Sequence, residues 1–337
     1  MSLPRDRPDA RLKIVHRDEY SIPMRLLRLL IRPFRPVPVK PHHLPDGRSP
    51  RLTPPKAASK LCHVRERDAE GIWIYDVTGK HVGGRPRKRV YYFCGGGWQM
   101  LPSTRHWSLV VELAKKVPDA SISLVAYPLA PKSPAKLSFP RLQMMYASVM
   151  RQSAEAGETV VFAGDSSGGN IVLTLVAWAL RSPEALAPAG IVAISPSTDL
   201  RHLHPDLNKV WDPILSVPFI ISTAGAWADK EPAEESGKTA TQEAREDWSA
   251  WDPRVSPEMA DLEPLARRGV KLYGIHGTYD VLSVETAVFR DKCRDQGIEG
   301  EWVEWARQMH CFPLAFAVGL KESKQGLAWV IEKMSEI

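Results

Sequence analysis

Ser166 stands in Gly164-Asp165-Ser166-Ser167-Gly168, after the β-rich run Thr159-Val-Val-Phe-Ala163 and before the apolar stretch Asn170-Ile-Val-Leu-Thr-Leu175. A glycine-flanked serine entered from a strand and left into a helix has the setting of a nucleophile elbow. Gly164 and Gly168 leave room for a tight turn, and the helix that follows directs its positive N-terminal end at the place where an oxyanion would form. The bare pattern recurs by chance and reads equally as a glycine turn with a surface serine. The strand before it and the helix after it select the nucleophile.

A serine hydroxyl is a weak nucleophile at neutral pH and needs a base, which in turn needs an acid to orient it. Behind such an elbow the acid and then the histidine follow in chain order. Of ten histidines only His276 and His310 lie beyond residue 257. His276, in Tyr273-Gly-Ile-His-Gly277, falls at a strand end before any suitable acid and reads as structural, whereas His310, in Gln308-Met-His310-Cys-Phe-Pro313, lies in a loop after the final strand. Asp280, in Gly277-Thr-Tyr-Asp280-Val-Leu282, leaves the preceding strand and is the preferred acid; Asp199 and Glu285 compete with it. Upstream, Val90-Tyr-Tyr-Phe-Cys94-Gly95-Gly96-Gly97-Trp98 runs a strand into three glycines. Two of their backbone N–H groups, with that of Ser167, are able to converge on one developing oxyanion. A flexible turn is the plainer reading.

These residues need elements to hold them. Short apolar runs at 71–77, 89–93, 121–126, 159–163, 190–195, 270–276 and 301–306 read as strands. Helical periodicity at 107–116, 139–154, 170–180, 284–296 and 313–334 alternates with them. That order predicts an α/β fold with a mostly parallel central sheet, helices on both faces and a helical cap. The core is expected in 61–200 and 258–337. Residues 201–257 interrupt the alternation with mixed helix, proline and a charged run over 229–247, and form the expected cap insertion.

Residues 1–60 hold 14 Lys/Arg against 5 Asp/Glu and 11 of the 29 prolines, so the formal charge of +6 belongs to this Pro/Arg-rich segment and not to the rest. With no zinc-type cysteine spacing and no base-reading helix, nucleic acid is not an expected partner. Within it, residues 21–32 alternate Ile, Met and Leu with Arg25 and Arg28. This is an amphipathic helix that either packs over the core or touches a membrane surface. The four cysteines are widely spaced, the first residues lack a signal peptide's apolar core, and no run reaches the length of a spanning helix. A cytoplasmic protein, peripheral to a membrane at most, is expected.

Together the motifs resemble the hormone-sensitive-lipase-like family of α/β hydrolases, over about 89–334. Cys94-Gly95-Gly96-Gly97 resembles its His-Gly-Gly-Gly motif, Tyr127-Pro-Leu-Ala-Pro131 its Tyr-Arg-Leu-Ala-Pro, and Gly164-Asp-Ser-Ser-Gly-Gly-Asn170 its Gly-Asp-Ser-Ala-Gly-Gly-Asn. The resemblance implies the α/β-hydrolase fold, an oxyanion hole of Gly96, Gly97 and Ser167, a triad of Ser166, Asp280 and His310, a cap built from about 1–60 and 201–257, and no cofactor. Cys94 replaces the histidine that braces the glycine loop, and Cys311-Phe312 stands where Gly-Phe is common. Trp211-Asp-Pro-Ile-Leu-Ser216 and Val255-Ser-Pro257 look most like a fungal branch that includes steryl acetyl hydrolases and secondary-metabolite esterases.

Four of the eleven tryptophans, Trp211, Trp227, Trp248 and Trp251, fall in the expected cap. Large flat side chains there suit an apolar ligand, or weld the cap to the sheet. Trp98, Trp211, Trp227 and Trp251 are the candidate substrate contacts. The expected reaction is hydrolysis of a short, acetyl-type ester of a hydrophobic alcohol through an acyl-enzyme on Ser166. An amidase or formamidase and a biosynthetic thioesterase share the same chemistry, and a non-catalytic ligand-binding protein shares the fold. The sequence leaves the oligomeric state open, a homodimer included.

Overall fold

The computed structural model of the chain describes residues 12–35, 48–81, 84, 86–229 and 248–337. Most of the expected charged run at 229–247 therefore lies outside the described residues. Nine strands form one sheet: β1 (Leu12–Arg17), β2 (Cys62–Ala69), β3 (Ile72–Gly79), β4 (Lys88–Phe93), β5 (Ala120–Ala126), β6 (Thr159–Asp165), β7 (Gly190–Ile194), β8 (Lys271–Tyr279) and β9 (Gly300–Met309). Their order is β1-β9-β8-β7-β6-β4-β5-β3-β2. From β1 to β5 every pairing is parallel. Only β3 runs against its neighbours β5 and β2.

The seven expected strands are present with ends displaced by a few residues. β1 and β2 have no counterpart among them, because Leu-Lys-Ile-Val-His-Arg and Cys-His-Val-Arg-Glu-Arg-Asp-Ala carry the charges of exposed sheet edges. Sequence reading assigns all of 1–60 to the cap segment, but β1 hydrogen-bonds along β9 and closes one edge of the core sheet. The helix expected over 313–334 is two pieces, a 3₁₀ segment Phe312–Val318 and the helix Lys321–Glu336. Gly319, at φ +92°, turns the chain between them.

Side-chain alternation along the strands builds a core on each face. Tyr91 and Phe93 of β4 pack with Phe139, Ile171 and Phe289 from helices Ala135–Glu155, Ser167–Ala179 and Ser283–Asp295. Val90 and Tyr92, one residue out of phase, join Trp107 and Val330 from helices Thr104–Lys116 and Lys321–Glu336 on the other face. The amphipathic helix is Ile22–Ile31, started by Ser21, whose Oγ accepts from the Met24 N–H. Met24 and Arg28 face inward, while Ile22, Leu26, Leu29 and Leu30 stay exposed. No helix among the described residues is long and apolar enough to cross a membrane.

The connection order matters for function. After β4 the chain moves to β5 on one side and returns to β6 on the other. The helices that follow β4 and β6 therefore lie on opposite faces, and the carboxyl ends of these strands are where open α/β sheets bind ligands.

Candidate active site

Both motif loops open at those strand ends. Phe93 of β4 pairs in register with Gly164 of β6, so the glycine run and the serine turn leave the sheet side by side. Ser166 sits at φ +52°, ψ −120°, between the end of β6 and helix Ser167–Ala179. A non-glycine residue holds such a conformation only when its surroundings fix it. Here the Ser166 N–H donates to the Ile194 carbonyl at 2.9 Å, and its own carbonyl accepts from Asn170 N–H at 3.0 Å. The flanking glycines are required by contact: a Cβ on Gly168 would collide with the Phe93 carbonyl, and one on Gly164 would lie 2.5 Å from the Gly168 carbonyl carbon.

The acid and base are brought together by strand register. Tyr279 pairs with Met309 across β8 and β9, so the next residues, Asp280 and His310, leave the sheet as neighbours. His310 Nδ1 lies 2.7 Å from Asp280 Oδ2, and Asp280 is fully buried. Burial works against the imidazolium, but the charge and hydrogen bond of Asp280 and the contact with Cys311 hold the His310 pKa well above its ordinary value. The other ring nitrogen, Nε2, is 3.4 Å from Cys311 Sγ. Burial pushes the Cys311 thiol up to about 11, which keeps it protonated at neutral pH. The competing groups are engaged elsewhere: Asp199 pairs with Arg201, Glu285 with His202, and His276 Nδ1 accepts from the Trp302 indole at 2.8 Å.

A cavity of about 290 Å³ joins these residues, lined by Ser166, His310 and the glycines 95–97. Its remaining wall is mainly apolar, with Met100, Leu101, Leu215, Phe219 and Leu314. A larger groove of about 790 Å³, bordered by Tyr146, Met150, Trp178 and Arg181, contains none of the expected site residues. Gly96 and Gly97 take φ values of +134° and +58°. Ser167 opens the helix after the nucleophile and is buried.

The structure also accounts for Cys94. Without a histidine there, the loop is held from below by the Tyr127 hydroxyl, which donates to the Cys94 carbonyl at 2.7 Å. It is held from the side by Asp165, whose carboxylate accepts from the Gly95 N–H and from the Tyr92 hydroxyl, the latter at 2.8 Å. His106 Nε2 lies 3.2 Å from the second Asp165 oxygen. Burial raises the Asp165 pKa, but His106 and the donated hydrogen bonds outweigh it and keep the carboxylate ionised. Sequence reasoning missed His106 because it is 59 residues from its partner, on a helix whose periodicity announced only packing.

The four candidate substrate tryptophans do not line the catalytic cavity. Trp98 and Trp227 stack on each other at 5.9 Å, fastening the glycine loop to the cap helix Val217–Trp227. Trp211 packs on Tyr279 beneath Arg28, and Trp251 lies half exposed under Arg201. Ring partners from other segments thus hold Trp98, Trp227 and Trp211, whereas Trp251 meets only Arg201 of its own segment and stays half exposed.

Residues 90–314, well over half of the chain, match the family model of the α/β-hydrolase fold. The chain is 30% identical over 155 residues to hormone-sensitive lipase of Ictidomys tridecemlineatus, covering 44% of this chain and 20% of the lipase. It thus spans about a fifth of that relative. An esterase of Gibberella moniliformis is 23% identical over 247 residues, 71% of each chain. Among solved structures, carboxyl esterase 2 from the fungus Tuber melanosporum superposes with a TM-score of 0.68 at 18% identity, covering 82% of this chain and 88% of that one.

Proposed function

The chain belongs to the α/β-hydrolase family, and from that premise we propose that it is a serine hydrolase cleaving carboxylic esters through an acyl-enzyme on Ser166. The observation that carries this reading is the Ser166 elbow opening into one cavity with the His310–Asp280 pair. His310 Nε2 takes the Ser166 proton as Oγ attacks the ester carbonyl, and Asp280 stabilises the imidazolium that results. The N–H groups of Gly96, Gly97 and Ser167 receive the oxyanion. His310 then protonates the departing alcohol, leaving the acyl group on Ser166. Water, deprotonated by the same histidine, attacks the acyl carbonyl, and the acid leaves as Ser166 regains its proton.

The substrate we propose is a short acyl ester of an apolar alcohol. Support comes from the cavity's size, small among ligand sites, and from its apolar wall. Fluorophosphonate labelling tests the core of the reading. The wild-type chain should label once, and Ser166→Ala should not label while melting at a similar temperature. A folded wild-type protein that resists the probe would overturn it.

A further inference from the structure

A second carboxylate lies beside the acid and base. Asp212, in the 211–216 segment, is buried, with 1% of its surface exposed. Its Oδ1 accepts from the Ile214 and Leu215 N–H groups at 2.6 and 2.9 Å, and its Oδ2 from the Val281 N–H at 2.8 Å. We propose that Asp212 is a positioning residue for catalysis, one that fastens the Asp280 loop to the wall of the catalytic cavity and keeps a second negative charge beside His310. The proposal rests on the triad reading given above.

The geometry ties the acid to the substrate wall through one side chain. Val281 and Leu282 follow Asp280 directly; the first donates to Asp212 and the second to Asp280 Oδ1 at 3.0 Å. Consecutive N–H groups of the acid loop are therefore divided between two carboxylates, and the orientation of Asp280 depends on both. Ile214 and Leu215, the other donors to Asp212, line the cavity. Next to this junction Trp211 packs on Tyr279 at 5.5 Å, so the same two segments are joined by rings as well.

A local turn explains the bonds to Ile214 and Leu215, since aspartate caps its own backbone two residues on. It does not explain the bond across 69 residues to Val281, nor a charge at a buried place already holding Asp280. Burying a carboxylate next to another is unfavourable unless something offsets it. Three N–H donors and His310 supply the offset. Burial and Asp280 raise the Asp212 pKa to about 6 against the opposing pull of His310 and the donated backbone bonds. When His310 accepts the Ser166 proton, the imidazolium gains an attraction to Asp212 that the neutral ring lacks, and such a contact stabilises the transition state selectively. Perturbed carboxylates of this kind concentrate at functional sites. The titratable groups facing this pair are Asp280 and Cys311, the latter a neutral thiol; the guanidinium of Arg28 lies above Trp211.

Asp212→Asn keeps the shape, removes the charge and, because its amide NH2 donates only, also gives up one of the two accepting atoms. Taking a negative charge from beside an imidazolium lowers its pKa, so the acid limb of kcat/KM on p-nitrophenyl acetate should move down by about half a unit or more. With it kcat should fall about tenfold or more, with a smaller change in KM. In a Ser166→Ala background, the His310 titration followed by NMR should show the same displacement without any turnover. That arm separates the proposal from the hydrolase reading: a displaced titration in a protein that hydrolyses nothing sinks the latter only. An Asn variant that folds and loses activity evenly at every pH, with the His310 titration unmoved, overturns the charge role. Should the Asn variant not fold, Asp212→Glu decides, since a retained carboxylate must leave the His310 titration near its wild-type position and a downward displacement overturns the proposal.

Discussion

His310 and Asp165 are two ionisable groups that burial alone would neutralise, and each is kept charged or chargeable chiefly by one partner among several. For His310 the partner is Asp280, and the base must be neutral to act. Its pKa lies above the ordinary 6.5, so activity should rise with pH along an acid limb placed higher than that of an exposed histidine, and fall away below it. A pH profile of kcat/KM on an uncharged ester checks the sign; a limb at or below 6.5 contradicts the Asp280–His310 coupling. For Asp165 the chief partner is His106. His106→Ala should favour protonation of Asp165 and weaken the acceptor for the Gly95 N–H. We expect kcat to fall about tenfold with KM little changed, less than the hundredfold or more that direct loss of an oxyanion donor costs. Steady-state kinetics with a parallel thermal melt separates this from misfolding.

Between elements, the seam beside the acid loop centres on Arg28, with Arg32 also over Trp211 and Arg307 also over Tyr20. Arg28, on the inner side of helix Ile22–Ile31, donates to the Arg307 carbonyl at 2.7 Å. Its guanidinium sits 4.3–4.8 Å from the ring centres of Tyr20, Trp211 and Tyr279. Three rings from three segments share one planar charge, which suits arginine and not lysine. Arg28→Ala would leave the Arg307 carbonyl without this donor and the rings without their common filler. A stability loss of about 2 kcal/mol is expected, read from the urea midpoint. Because Tyr279 adjoins Asp280, kcat should fall in the same variant. Unchanged kinetics would show that the seam carries packing alone.

At the scale of the whole molecule, the sheet order makes the crevice, and Ile214, Leu215 and Phe219 wall it in. The reversal between β5 and β6 opens a gap at the strand ends, and segment 212–215 with helix Val217–Trp227 borders the cavity of about 290 Å³ there. A cavity that small accepts a short acyl chain more readily than a long one. Across a series of p-nitrophenyl esters, kcat/KM should peak at acetate to butyrate and drop about tenfold or more by the longer acyl chains, each unaccommodated methylene forfeiting burial or forcing a clash. A preference for long chains would show that the wall of Met100, Leu215 and Phe219 moves aside on binding.

Local pattern alone determined a good part of this. Seven strands, the amphipathic helix, the turn at Ser166 and the glycine run at 95–97 follow from periodicity and from residues with unusual backbone freedom, both properties of adjacent positions. Chain order singled out Asp280 and His310 for the same reason, since each ends a recognisable strand, and the register of Tyr279 with Met309 then put them in contact. What only the tertiary structure decided is whatever depends on distant residues. The charged edge strands β1 and β2 are strands because a neighbour pairs with them. Cys94 is accommodated because Tyr127 and Asp165 reach the loop from other elements. Trp211 and Trp227 stand outside the catalytic cavity because Arg28, Tyr279 and Trp98, from other segments, pack on their rings. Asp212 stands at the acid loop only because folding carries it across 69 residues of chain, a distance over which sequence spacing holds no geometric information.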